Sequence, residues 1–187
     1  MKREHDALRL DVAAFAADGA GLSGRWPGAE LGRLAESQSP PQDLALPEVV
    51  WQAQGERHPV TGSEAELWLT LQLESKVWLT CQRCLQPMQQ PLTLHRRLRF
   101  VRGEAEAEAL DADNEDDVLA LSRSLDLRDL AEDELLLALP LVPRHQVCPQ
   151  PLPMAIEADP QAVDVAERPN PFAALQALKR GPSGGGR

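Results

Sequence analysis

Tyrosine is absent from the 187 residues, and only three Phe and four Trp are present. So few rings leave little material for the stacking platforms on which single-stranded nucleic acids lie. No apolar run approaches the ~20 residues of a spanning helix, so a membrane-spanning chain of the helical type is not expected. Behind Met1-Lys2-Arg3-Glu4-His5-Asp6 the sequence has no uninterrupted apolar stretch, because Asp11 and Asp18 interrupt it, and a secretory leader is not expected. Three cysteines, an odd number, fit a reducing compartment better than a disulfide framework, so the expected location is the cytoplasm. There is no phosphate-cradling Gly loop, no G-x-S-x-G and no conspicuous His/carboxylate arrangement. Neither catalysis nor a small-molecule substrate is expected.

Acid and proline are plentiful. The formal net charge is −10, which on average repels phosphate backbones. Eight acids between Glu104 and Asp117, with no Lys or Arg among them, supply most of that charge and leave the remainder nearly neutral. A local RNA-contacting face therefore stays open. The acidic run reads as a solvated loop, since like charges at this density resist compaction. Pro140, Pro143, Pro149, Pro151, Pro153, Pro160, Pro169 and Pro171 crowd the last quarter, where missing donors and fixed φ disfavour regular structure. The expected organisation is one domain over 1–148 and a Pro-rich arm over 149–187.

Leu10, Ala13, Ala14 and Ala17 recur at helical spacing until Asp18-Gly19, and a second short helix is expected over Ala29–Glu36 with Leu31 and Leu34 inward. From Val49 the period becomes two. Ala65, Leu67, Leu69, Leu71 and Leu73 share one face of a strand, Ser75-Lys76 reads as a tight connection, and Val77, Leu79 and Cys81 form a further face. Leu92, Leu94, Leu98 and Phe100 continue the alternation, interrupted by His95-Arg96-Arg97. Val118–Leu121 reads as a short additional strand. Residues 126–139 form the strongest helical pattern, with Asp126 as N-cap, Leu127, Leu130, Glu134 and Leu137 close together, Leu135, Leu136 and Leu139 widening the apolar stripe, and Pro140 as the stop. The Glu132-Asp133-Glu134 triplet reads as its solvated front. The fold class expected is α+β, an antiparallel meander of about four strands or a partly closed barrel with flanking helices and a flexible C-terminal arm.

Three groups of residues carry candidate chemistry. Cys81-Gln82-Arg83-Cys84 is half of a zinc site, and His145-Gln146-Val147-Cys148 offers the other half; Cys81, Cys84, His145 and Cys148 would make a Cys3His structural centre. Two other readings stand beside it. The cysteines could be small residues at a strand end, or a redox pair, although Pro87 and Pro91 point to a hairpin rather than the helix N-terminus that activates a thiol. Arg96, Arg97, Arg99 and Arg102, with His95, are the concentrated positive patch and could contact RNA phosphates, with Arg83 close across the hairpin; alternatively they pair with the acidic run that follows. Trp68 and Trp78 alternate away from the Leu face, as a second layer buried under a helix, the reading preferred, or as an exposed platform. Finally, Pro169, Asn170, Pro171, Phe172, Leu175 and Leu178 read as a short capped helix with an apolar stripe that would dock on a partner or on its own domain.

Taken in order, Cys81-Gln82-Arg83-Cys84-Leu85-Gln86-Pro87, then Leu130 to His145, then Arg168-Pro169-Asn170-Pro171-Phe172 through Lys179 resemble the YceD family, as do Gly24-Arg25-Trp26 and Leu34-Ala35-Glu36-Ser37. The resemblance implies a non-enzymatic role in the synthesis, processing or stability of large-subunit (23S) ribosomal RNA. It implies as partner a large-subunit rRNA precursor or, alternatively, a basic ribosomal protein gripped without RNA contact. It brings no catalytic residues. Some relatives carry further cysteines after the long helix, where this chain has His145 and Cys148.

Overall fold

Leucine at every second position commits the middle of the chain to a one-sided sheet. The computed structural model describes residues 3–112 and 116–149. In that range β3 (Glu66–Thr80) and β4 (Pro87–Val101) are each fifteen residues long and pair antiparallel from Leu67–Phe100 to Thr80–Pro87. The other strands are β1 (Gly21–Trp26), β2 (Val49–His58) and β5 (Asp117–Ala120). The sheet runs β1-β2-β3-β4-β5, antiparallel throughout except that β5 lies parallel to β4. It is a mixed open sheet, so the α+β expectation holds and barrel closure does not occur: β1 and β5 remain at opposite edges.

Leu69, Leu71, Leu73, Val77, Leu79, Leu94, Leu98 and Phe100 line the inner face. Trp26 of β1 and Val49, Trp51 and Ala53 of β2 belong to the same core, and three helices pack into it: α1 (Val12–Ala17), α2 (Gly32–Glu36) and α4 (Leu127–Leu137). Asp11 caps α1 through Ala14 N, and Asp126 caps α4 through the N–H groups of Arg128 and Asp129. Gly55 of β2 lies directly against α1; a Cβ there would sit 2.7 Å from Phe15 Cδ1 and 2.8 Å from Phe15 carbonyl carbon. A fourth helix, α3 (Glu104–Asp111), joins β4 to β5 and packs Ala107 against Val101 and Val118 in a separate small cluster.

Several expectations are corrected. Ser75-Lys76 makes no turn: odd-numbered residues keep the same face through Val77, so the strand simply continues, with Ser75 Oγ donating to the Glu48 carbonyl. The acidic run is helical at its start, because Glu104 and Glu106 fall in the first turn, where carboxylates meet the positive end of the dipole. Trp68 is buried beneath the Arg97 guanidinium, 4.1 Å from the ring centroid, instead of under a helix, and its indole N–H donates to Glu66. Trp78 is half-buried, its backbone tied to Gln38 and Ser39.

The largest correction concerns α4. Its buried stripe is Leu127, Ala131, Glu134 and Leu135, while Leu137 is exposed. The triplet is no solvated front, since Glu132 and Glu134 are 6% and 7% exposed. Leu31, at the start of α2, has no side chain able to cap, and the Glu132 carboxylate takes over: Oε1 accepts Leu34 N at 2.9 Å, and Oε2 accepts Arg33 Nε at 3.1 Å. Arg33 also pairs with Asp129 and Asp133 of α4. Glu134 accepts Arg96 Nε at 2.6 Å, joining helix to sheet.

Glu132→Ala is expected to lower unfolding free energy by about 2–4 kcal/mol, because it strands a buried N–H and one end of an ion pair. Asp133→Ala, an exposed partner of the same arginine, should cost under about 0.5 kcal/mol. Urea unfolding of both variants checks the contrast; equal losses would mean that Glu132 is not the cap.

Candidate functional site

The β3–β4 hairpin closes through Cys81–Gln86, where Cys81 N donates to the Gln86 carbonyl at 3.0 Å and Leu85 N to the Cys81 carbonyl at 2.8 Å. Reversing in so few residues forces Leu85 into the left-handed region at φ 58°, a conformation a branched side chain seldom adopts. The turn points backbone N–H groups of Arg83 and Cys84 towards the Cys81 sulfur. After α4, Pro140 ends the helix and the chain returns to the hairpin, where Gln82 N donates to the Pro143 carbonyl at 2.9 Å.

That return brings the second half of the site into place. Single donor atoms of Cys81, Cys84, His145 and Cys148 all lie within 4.8 Å of one another. Cys81 Sγ is 4.0 Å from Cys148 Sγ, and Cys84 Sγ is 3.4 Å from His145 Nδ1. A tetrahedral zinc with bonds of about 2.3 Å to sulfur and about 2.0–2.1 Å to nitrogen would separate two sulfurs by ~3.8 Å and sulfur from nitrogen by ~3.6 Å. The observed spacings are those of ligands around an ion, and the cysteines are free thiols. The donor set fits a metal of the zinc type.

The electrostatics agree with a ligand role. Burial pushes the Cys81 thiol up, but the N–H groups of His145, Cys84 and Arg83 outweigh it and bring Cys81 down to about 5. His145 N donates to its sulfur at 3.4 Å. Burial pushes Cys84 up. Arg83 Nε donates to Cys148 Sγ at 3.0 Å and its NH2 group to the His145 carbonyl at 3.0 Å. Three thiolates on a divalent ion leave one negative charge, which this guanidinium offsets, and Cys148 in turn holds the Arg83 guanidinium above its ordinary value. Sequence spacing picked out the four residues that the structure brings together; it assigned Arg83 to the basic stripe instead of to the sulfur. The hairpin itself is as expected, and among the described residues no helix N-terminus faces Cys81. A buried thiolate held by three N–H groups is arranged as a ligand, and fully buried Cys81 is poorly placed as an attacking nucleophile.

The basic strand is dispersed by its own pleat. Arg96 points to the inner face and pairs with Glu134. Arg97 lies on the outer face over Trp68, Arg99 pairs with Glu66 at 3.0 Å, and Arg102 meets Glu64 at 3.4 Å. The acidic run is not their partner among the described residues, because the register sets the end of β4 beside the start of β3. Pro169, Asn170, Pro171, Phe172, Leu175 and Leu178 lie outside the described residues, as does the arm expected over 149–187 apart from Pro149.

Fold and site define a class: a one-sided sheet scaffold whose longest hairpin carries a Cys3His group able to hold a metal ion. A family model described as "Large ribosomal RNA subunit accumulation protein YceD" matches residues 69–179, from the middle of β3 onward. The chain belongs to this family. It is 35% identical over 107 residues to a Haemophilus influenzae protein named "Large ribosomal RNA subunit accumulation protein YceD", covering 54% of this chain and 59% of that relative. The chain therefore spans well under two thirds of that relative's length. No solved structure matches.

Purified without chelator, the protein is expected to carry one zinc per chain, and chelation should lower its melting temperature, since ligand-binding energy is folding energy for such a site. Elemental analysis showing no metal would remove the centre. Arg83→Ala should weaken zinc binding about 10–100-fold with all four ligands intact, the usual effect of losing an outer-shell partner. Competition with a calibrated chelator reads that shift, and an unchanged affinity would assign Arg83 no part in the site.

Proposed function

We propose that this protein supports the accumulation of large-subunit (23S) ribosomal RNA in the bacterial cytoplasm, acting as a non-enzymatic accessory in ribosome biogenesis. The observation that carries the reading is the family match, which spans both the metal-type hairpin and the helix that buttresses it. In this reading Cys81, Cys84, His145 and Cys148 bind zinc as a structural ion, fixing the segment after α4 to the tip of the β3–β4 hairpin. The arm over 149–187 acts as a tether whose Phe172, Leu175 and Leu178 engage the same assembly.

A second reading has its own observation. Glu104, Glu106 and Glu108 of α3 take part in no ion pair among the described residues. That acidic helix would suit a basic ribosomal protein, which the chain would hold without touching RNA. The RNA reading is preferred because the family is named for the RNA it helps to accumulate.

Depleting the protein in its own host is expected to lower the ratio of 23S to 16S ribosomal RNA, and the full chain should restore it. A Cys84→Ser/His145→Ala chain should restore it poorly at elevated temperature, where the destabilised hairpin opens. An unchanged 23S:16S ratio on depletion would refute the proposed role.

A further inference from the structure

Although the molecule is acidic as a whole, one end of it is not. No Asp or Glu occurs from Ser75 to Gly103 or from Leu135 to Pro149, the two segments that meet at the metal-type site. The cations of that end are Lys76, Arg83 and Arg144, all exposed; among the described residues none of the three is in an ion pair with a carboxylate, and Arg83 is held by Cys148 Sγ. By contrast Arg96, Arg99 and Arg102 are each closed by a glutamate. Glu74, two residues before Lys76 on the same face of β3, and Glu48, whose carbonyl accepts from Ser75, bound the acid-free region on that side.

Large apolar side chains are exposed at the same end. Leu85 on the turn is 72% exposed, and on the returning segment Leu141 is 100% and Val147 85% exposed, with Val142 beside them. Leu85 follows a ligand, Val147 precedes one, and Val142 precedes Pro143, whose carbonyl accepts from Gln82 of the turn. Trp78, half-buried on the outer face of β3, precedes the turn by three residues. Lys76 and Arg144, with no carboxylate partner, and exposed apolar groups on a braced turn form a surface that fits an anion with flat apolar faces. Its charge opposes a basic protein.

We propose that the hairpin tip, comprising Leu85, Arg144 and Val147 beside the metal-type site, together with Lys76 on the outer face of β3 five residues before the turn, is the surface that contacts unpaired segments of large-subunit ribosomal RNA. This rests on the reading that the protein acts on that RNA. Lys76 and Arg144 meet phosphates, and the exposed apolar side chains cover base faces, with the metal-type site holding both segments in one geometry. The β4 arginines are left to internal pairing. The placement also lets an acidic chain approach RNA, because α3 lies at the other end of the β3–β4 hairpin, following the end of β4 that pairs with the start of β3.

The test measures binding of the full chain to 23S ribosomal RNA fragments transcribed in vitro, by fluorescence anisotropy across a salt series. Lys76→Ala/Arg144→Ala should lower affinity and reduce the slope of log K against log salt by about 1.4, two single-strand phosphate contacts at ~0.7 each. Leu85→Ser/Val147→Ser should weaken binding with the slope unchanged. All four positions are exposed, and zinc content and melting temperature verify that each variant is folded. If the wild-type chain binds but these variants match it, while Arg97→Ala or Arg102→Ala loses affinity, the contact surface is the β4 stripe and the inference is overturned while the RNA reading stands. If the folded wild-type chain binds no 23S fragment but captures a basic ribosomal protein, the RNA reading itself fails, and the inference with it.

Discussion

The uninterrupted pairing of β3 with β4 is the constraint on which every other placement depends. Because each strand is fifteen residues long and the register never slips, a residue's parity alone decides its face. Leucines on one parity gather the three inner helices. The same register sets Arg99 and Arg102 beside the acids at the start of β3, puts Arg97 over Trp68, and carries Cys81 and Cys84 to a turn that projects beyond the rest of the sheet. Shifting the pairing by one residue would exchange the two faces and scatter all of these partners.

Two interruptions of pattern turn out to be one contact. Arg96 interrupts the leucine alternation of β4, and Glu134 interrupts the apolar stripe of α4; the structure brings them to 2.6 Å across the helix–sheet interface. Each defect is legible in the sequence, and their opposite charges are the signal that would have joined them. Glu132 was harder to place. Its partners, Arg33 and Leu34 N, lie about a hundred residues away in the chain, and nothing local marks a carboxylate as the cap of another helix. Buried pairs of this kind fix which helix sits against which strand, beyond any stability they add.

The elements most legible are those whose apolar period runs longest, β3, β4 and α4, even where Arg96 and Glu134 interrupt it. The strand β1 was not, because Gly21-Leu22-Ser23-Gly24-Arg25-Trp26 has glycines where a strand usually has branched residues. Gly24 is there because the Trp51 ring occupies the space, with a Cβ at Gly24 falling 3.0 Å from it. Helix α3 was hidden by its charge: alternating Glu and Ala read as repulsion, whereas alanine propensity and the dipole favour a helix. The gathering of Cys81, Cys84, His145 and Cys148 was legible from spacing alone. The role of Arg83 was not, since contact with a sulfur sixty-five residues away has no sequence signature.

What joins these observations to ribosomal RNA is the idea that the two chain segments at the hairpin tip act as one rigid unit. Hydrogen–deuterium exchange with and without chelator measures this directly. The account predicts that chelation raises exchange at Cys81–Gln86 and at 143–148 together, leaving the protection of Leu69–Leu73 and Leu94–Leu98 unchanged. Exchange at both tip segments that is indifferent to metal would contradict it.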